Sequence, residues 1–146
     1  MSRITRATRL RFAPASFALT LALALPLLAA CGPLGPGSAS VVATDADKGH
    51  TLTLHLGDTL VVSLASTYWQ VEGSSDTSVL RASGQPAVAP SPGCVPGSGC
   101  GTVTQSFTAV ATGTADVTAS RTGCGEARRC TGDEGHYQVT VVVKQP

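Results

Sequence analysis

From Val41 onward the apolar positions recur mostly every second residue. Leu52, Leu54 and Leu56 alternate with Thr51, Thr53 and His55, and Leu60, Val62 and Leu64 follow a Gly57-Asp58 turn. Val103, Gln105, Phe107 and Ala109 share one parity, and Ala115, Val117 and Ala119 share another. Tyr137, Val139, Val141 and Val143 form the last such run. Successive side chains leave a strand on opposite faces, so this alternation predicts half-buried strands, and no stretch shows sustained helical spacing. Thr and Val fill most of these segments, as suits a pleated surface. Strands separated by Gly, Asp or Pro predict an all-β fold, an immunoglobulin-like antiparallel β-sandwich.

The first forty residues break this pattern. Arg3, Arg6, Arg9 and Arg11 precede an apolar run from Phe17 to Leu28. The run is shorter than the roughly 20 residues a membrane-spanning helix needs, and its size suits a signal-peptide core. Leu28-Ala29-Ala30-Cys31 resembles a lipobox, the processing site of bacterial lipoproteins. The resemblance implies cleavage before Cys31 and lipidation of its thiol, which would anchor the exported protein on the extracytoplasmic side of the membrane. The alternative is an ordinary secretory signal followed by a chance cysteine. Residues 31–40 are rich in Pro, Gly and Ser and read as a tether. The expected organisation is therefore a signal peptide over 1–30, a tether over 31–40 and one folded domain over 41–146.

Charge narrows the partners. The chain carries ten basic and nine acidic residues, but four of the basic ones lie in the first eleven positions. Without them the count is six against nine, a net charge of −3. A mildly acidic body does not attract phosphate backbones, so no nucleic-acid partner is expected.

With Cys31 assigned to lipid, four cysteines remain. Cys94 and Cys100 form one pair and Cys124 and Cys130 another, each enclosing five residues. An even number in an exported chain predicts disulfides. Three pairings exist, of which the two local ones are favoured; a bond between the two segments requires both at the same end of the sandwich. Zinc is disfavoured because five-residue gaps exceed the usual ligand spacing. Four prolines fall between Gly84 and Gly101, which predicts a long irregular connection braced by its disulfide. Such bracing preorganises a binding loop or shields an exposed one from proteases. The aromatic side chains of this body are Tyr68, Trp69, Phe107 and Tyr137. On a strand the adjacent Tyr68 and Trp69 must face opposite sides; Trp69 is expected in the core with Phe107 and Tyr137.

Three features then line up. Gly57-Asp58-Thr59-Leu60 leads into Ser66-Thr67-Tyr68-Trp69, Gly97-Ser98-Gly99-Cys100-Gly101 precedes a strand, and Arg121 opens the loop before the final strand. In this order they resemble the chagasin-like cysteine peptidase inhibitors. The resemblance implies an immunoglobulin-like sandwich with three loops at one end that occlude a papain-type cleft. It assigns Thr67, Tyr68 and Trp69 to the first loop, Gly97 and Gly99 to the second and Arg121 to the third. The motifs depart from the family pattern. The Asn-Pro start of the first is missing, Cys100 replaces the last Gly of the second, and Thr122-Gly123 replaces the Pro-aromatic pair of the third.

Phe107 to Ser120 is also similar to the closing strands of bacterial Ig-like surface repeats, which act as spacers or adhesive units. That similarity supports a non-inhibitory envelope module as the alternative. An enzyme is not expected: His50, His55 and His136 lie in turns or on a polar strand face, and no nucleophile elbow, metalloprotease motif or phosphate loop is present. Asp45-Asp47 and Asp133-Glu134 lack an EF-hand arrangement and read as solvated loop acids. Arg128-Arg129 offers two charges to an acidic partner or lipid headgroups. No cofactor is expected; the partner is a cysteine peptidase or another envelope or extracellular protein.

Overall fold

The computed structural model describes residues 37–146. The signal segment and the lipidation site at Cys31 lie outside the described residues. Among the described residues ten strands occur in this order: β1 (Ser40–Ala43), β2 (Thr51–His55), β3 (Thr59–Ala65), β4 (Gln70–Ser74), β5 (Leu80–Pro90), β6 (Gly101–Ala109), β7 (Gly113–Ser120), β8 (Gly123–Gly125), β9 (Arg128–Arg129) and β10 (His136–Lys144). One sheet has the order β1-β3-β6-β5 and the other β2-β10-β7-β4, while β8 and β9 form a separate hairpin. The two four-stranded sheets form the expected all-β sandwich, and its core follows the predicted parities. Leu54, Leu60, Val62, Leu64, Phe107, Val117, Val139 and Val141 are fully buried.

Two edges depart from a purely antiparallel scheme. β1 runs parallel to β3, and β2 runs parallel to β10. The chain enters in one sheet and crosses to the other through a 3-10 turn at Asp45–Asp47, so both halves of the entering segment lie along edges. Asp45 fixes this crossover by accepting a hydrogen bond from the Ala65 amide at 2.7 Å.

The expected irregular connection from Gly84 to Gly101 is shorter than the sequence implied. β5 continues to Pro90, with its register shift between Ser83 and Ala87. An edge strand tolerates proline, because only one side of it must supply ladder hydrogen bonds, and a bulge absorbs residues that cannot pair. Leu56 is a further correction: it lies beyond the end of β2 and is exposed rather than continuing the buried alternation.

The ends of β3 define the two poles of the molecule. At its start the His55–Thr59 turn sits against Ala39, whose amide donates to Asp58 at 2.8 Å. At its finish the chain enters Ser66–Trp69. Seven residues of strand separate the two, roughly 23 Å. The described N-terminus is therefore at the basal pole, and the segments of the candidate site are at the apical one.

Candidate functional site

Three loops meet at the apical pole. The first, Ser66–Trp69, is a turn between β3 and β4, not a strand, so Tyr68 and Trp69 are not on opposite faces of a sheet. The chain is turned sharply at Ser66, whose φ of 145° is unusual for a residue with a side chain. The turn is closed from within and from the neighbouring loop. Ser66 Oγ accepts from the Tyr68 amide at 3.2 Å, and the Thr67 amide donates to the Gly99 carbonyl at 2.9 Å.

The second loop, residues 91–100, carries the Cys94–Cys100 disulfide. Tyr68 clamps it: the phenol donates a hydrogen bond to the Gly97 carbonyl, and the ring lies flush against Gly99. A Cβ at Gly99 would overlap that ring, and the residue's φ of +68° is one that glycine adopts at little cost. On its other side Tyr68 meets the third loop, where a Cβ at Gly123 would stand 3.2 Å from the ring. Tyr68 thus joins all three loops, a role that single-strand reasoning missed. The glycines at 99 and 123 were a usable signal, because a bulky ring needs bare backbone to lie against.

The third loop starts at Arg121 and contains the Cys124–Cys130 disulfide, which closes the β8–β9 hairpin. Both cysteine pairs are thus local, as favoured from the sequence. Arg121 lies with its guanidinium carbon 4.3 Å from the centroid of the Trp69 ring, a cation–π contact. Its amide donates to the Gly135 carbonyl at 2.9 Å. Trp69 itself is only 5% exposed and packs edge-on against Tyr137, with ring centroids 6.3 Å apart. A residue this deeply buried cannot be a contact residue. Its place among the binding residues is corrected to that of a support beneath Arg121 and the first loop. Burial, with the charges of Asp47 and Asp45 adding to it, pushes the Tyr137 phenol up to about 12.

The acids near this pole serve the loops themselves. Glu134 accepts from the Thr131 amide at 3.0 Å and receives Arg128 at 2.9 and 3.2 Å. These contacts, the backbone one first, hold its carboxyl down at about 2. Asp47 accepts from the Thr44 amide at 2.7 Å, and Asp133 pairs with Lys48 at 2.6 Å. Among the described residues no group of three His, Cys, Asp or Glu side chains is arranged to hold a metal ion.

Between the loops runs an open groove of about 280 Å³, touched by Ser66, Tyr68, Ser98, Cys100, Arg121 and Cys124. A larger hollow of about 410 Å³ lies against β10 and β7, with Lys48, Glu72, Asp133 and His136 on its rim. Two of its charged groups, Lys48 and Asp133, are paired with one another at 2.6 Å. The apical groove is bordered by all three loops.

Comparison with known proteins places the fold. No protein-family model matches the chain, and no curated protein matches it. Solved structures do. A crystal structure of the cysteine protease inhibitor EhICP2 from Entamoeba histolytica is similar over 75% of this chain and all of that one, with a TM-score of 0.53 and 17% identity. The solution structure of amebosin is similar over 74% of this chain and all of that one, with a TM-score of 0.51 and 16% identity. At such identities the likeness is one of fold, and the fold is the chagasin-like sandwich that the order of loops and strands resembled.

Proposed function

We propose that this chain is an exported, lipid-anchored protein whose apical loops bind a protein partner, and that the partner is a papain-type cysteine peptidase. The observation that carries this reading is the convergence of three sequence-distant loops on Tyr68, at the pole opposite the described N-terminus. The fold likeness to a cysteine protease inhibitor supports the class of partner. Disulfides in two of the loops reduce the freedom lost on docking.

Thr67, Tyr68, Gly97, Gly99 and Arg121 form or frame the contact surface, and Trp69 supports it. The β8–β9 hairpin, half-buried along β8 and exposed along β9, stands where the family pattern has a Pro-aromatic pair, so it supplies the third contact. The test is titration of papain with the detergent-solubilised full chain. Stoichiometric inhibition in the nanomolar range is expected. Tyr68→Phe, which removes only the hydroxyl that holds Gly97, should weaken it several-fold without unfolding the domain. No inhibition at high micromolar concentration would leave the non-inhibitory envelope module as the better reading.

A further inference from the structure

The Cys94–Cys100 ring has a feature that loop bracing does not require. Cys100 is exposed and borders the apical groove, whereas Cys94 is half-buried. Ser98 Oγ lies 3.0 Å from Cys94 Sγ and 3.1 Å from Cys100 Sγ. One hydroxyl therefore stands beside both sulfurs. Arg121 borders the same groove and gives it a fixed positive charge. The ring contains Gly97 and Gly99, both at positive φ, and further glycines at positive φ flank it at 93 and 101. Each ring has one sulfur near a carbonyl, Cys94 Sγ 3.5 Å from Val95 and Cys124 Sγ 3.9 Å from Glu134, and the Ser98 hydroxyl beside both sulfurs is what sets the first ring apart.

From this geometry, and resting on the peptidase reading above, we infer that the Cys94–Cys100 disulfide is an electrophile for the catalytic thiolate of a docked cysteine peptidase. The peptidase sulfur attacks Cys100 Sγ, the exposed end. A new S–S bond forms between the peptidase and Cys100 while the Cys94–Cys100 bond breaks. The electron pair of the broken bond goes to Cys94 Sγ, which leaves as a thiolate. The peptidase thiol is oxidised to a mixed disulfide, and the disulfide of this chain is reduced by the same two electrons. Ser98, which donates to the Val95 carbonyl at 2.6 Å in the closed ring, turns its hydroxyl to the departing Cys94 sulfur. A stabilised leaving thiolate speeds exchange, and a cation near the groove favours the incoming anion. Cys94 stays in place to attack the mixed disulfide and release the peptidase. The outcome is a reversible covalent complex, formed after docking and dissolved by reductant.

The experiment mixes the full chain with papain that has been activated and then freed of reductant. Samples are quenched in acid, alkylated and weighed as intact complexes. A 1:1 adduct is expected that disappears with dithiothreitol and maps to Cys100. It should form at least a hundredfold faster than the adduct with free cysteine at the same pH. The Cys94→Ser/Cys100→Ser double variant should give none. Ser98→Ala, which leaves the ring closed, should slow formation roughly tenfold, the effect of one hydrogen bond to a charged group. Inhibition without an adduct would overturn the exchange step and leave the inhibitor reading standing. Neither inhibition nor adduct would overturn both. An adduct mapped to Cys124, or formed no faster than with free cysteine, would also overturn the proposal.

Discussion

At the basal pole the connections are short and are closed by carboxylates. Asp58 accepts from the amides of Ala39 and His55 at 2.8 and 2.7 Å, and Asp76 accepts from the Ser78 amide at 2.9 Å. Backbone bonds finish the turns, Gly57 to Ala109 and Val110 to Val79, each at 2.9 Å. At the apical pole the loops are longer, and the ties run between residues far apart in sequence. Tyr68 reaches Gly97, Thr67 reaches Gly99, and Arg121 covers Trp69. Two disulfides close individual loops there, alongside the Glu134 carboxylate that accepts from the Thr131 amide. A turn whose only task is to reverse the chain can be satisfied by a neighbouring acid. A surface assembled from several loops must be held by cross-links that do not depend on strand pairing.

The contrast can be broken most severely at Trp69. Trp69→Ala removes a buried aromatic from beneath Arg121 and should cost about 3–5 kcal/mol in denaturant unfolding followed by circular dichroism. Loop ordering should be lost beyond the unfolding itself, read as faster amide exchange at residues 66–69 and 121–125. The Cys124→Ser/Cys130→Ser variant comes next. Loop-closure entropy for a seven-residue ring gives about 2.4 kcal/mol before any relaxation of the native state. The change should be confined to the apical pole, with the Ala39 and His55 amides unaffected.

A glycine pair sharpens the comparison within one loop. Gly99→Ala must push aside the Tyr68 ring and should cost about 1–3 kcal/mol. Gly97→Ala, with φ of +85° and nothing within 4 Å of its new methyl, should cost only about 1 kcal/mol of backbone strain. Equal costs would mean that Tyr68 does not clamp Gly99.

Acid should act on both poles with the same sign. Glu134 is held down at about 2, against an ordinary 4.5, so its contribution is complete above the ordinary value and is lost as pH falls through about 2. Asp58 is also lowered, by the His55 amide first and the Ala39 amide next, and its contribution fades in the same direction. Glu134→Gln should flatten the acid limb of the stability curve at the third loop, and Asp58→Asn should do so at the basal turn. Carboxyl carbon shifts followed by NMR would check both. These effects are the smallest of the set.

Much of this molecule was legible in residue order, because strand parity depends only on which residues alternate. Leu60, Val62 and Leu64 had to share a face, and so did Val139, Val141 and Val143. The cysteine pairs were legible for a similar reason, since their partners lie close along the chain. What could not be read depends on contact between distant segments. Pro86 and Pro90 suggested a loop, because nothing local reveals that β5 is an edge strand. Trp69 was correctly expected in the core, yet the same residue was grouped with the contact residues. Its burial under Arg121 excludes that role, and the contact joins residues 52 positions apart. The clamp by Tyr68 required three loops to be seen together.

The account stands on the apical pole acting as one recognition surface. Amide hydrogen exchange of the full chain, with and without papain, tests this most directly. Protection is predicted at residues 66–69, 94–100 and 121–130 together, with none at the His55–Thr59 turn. Protection at the basal pole, or at one apical loop without the other two, would contradict it.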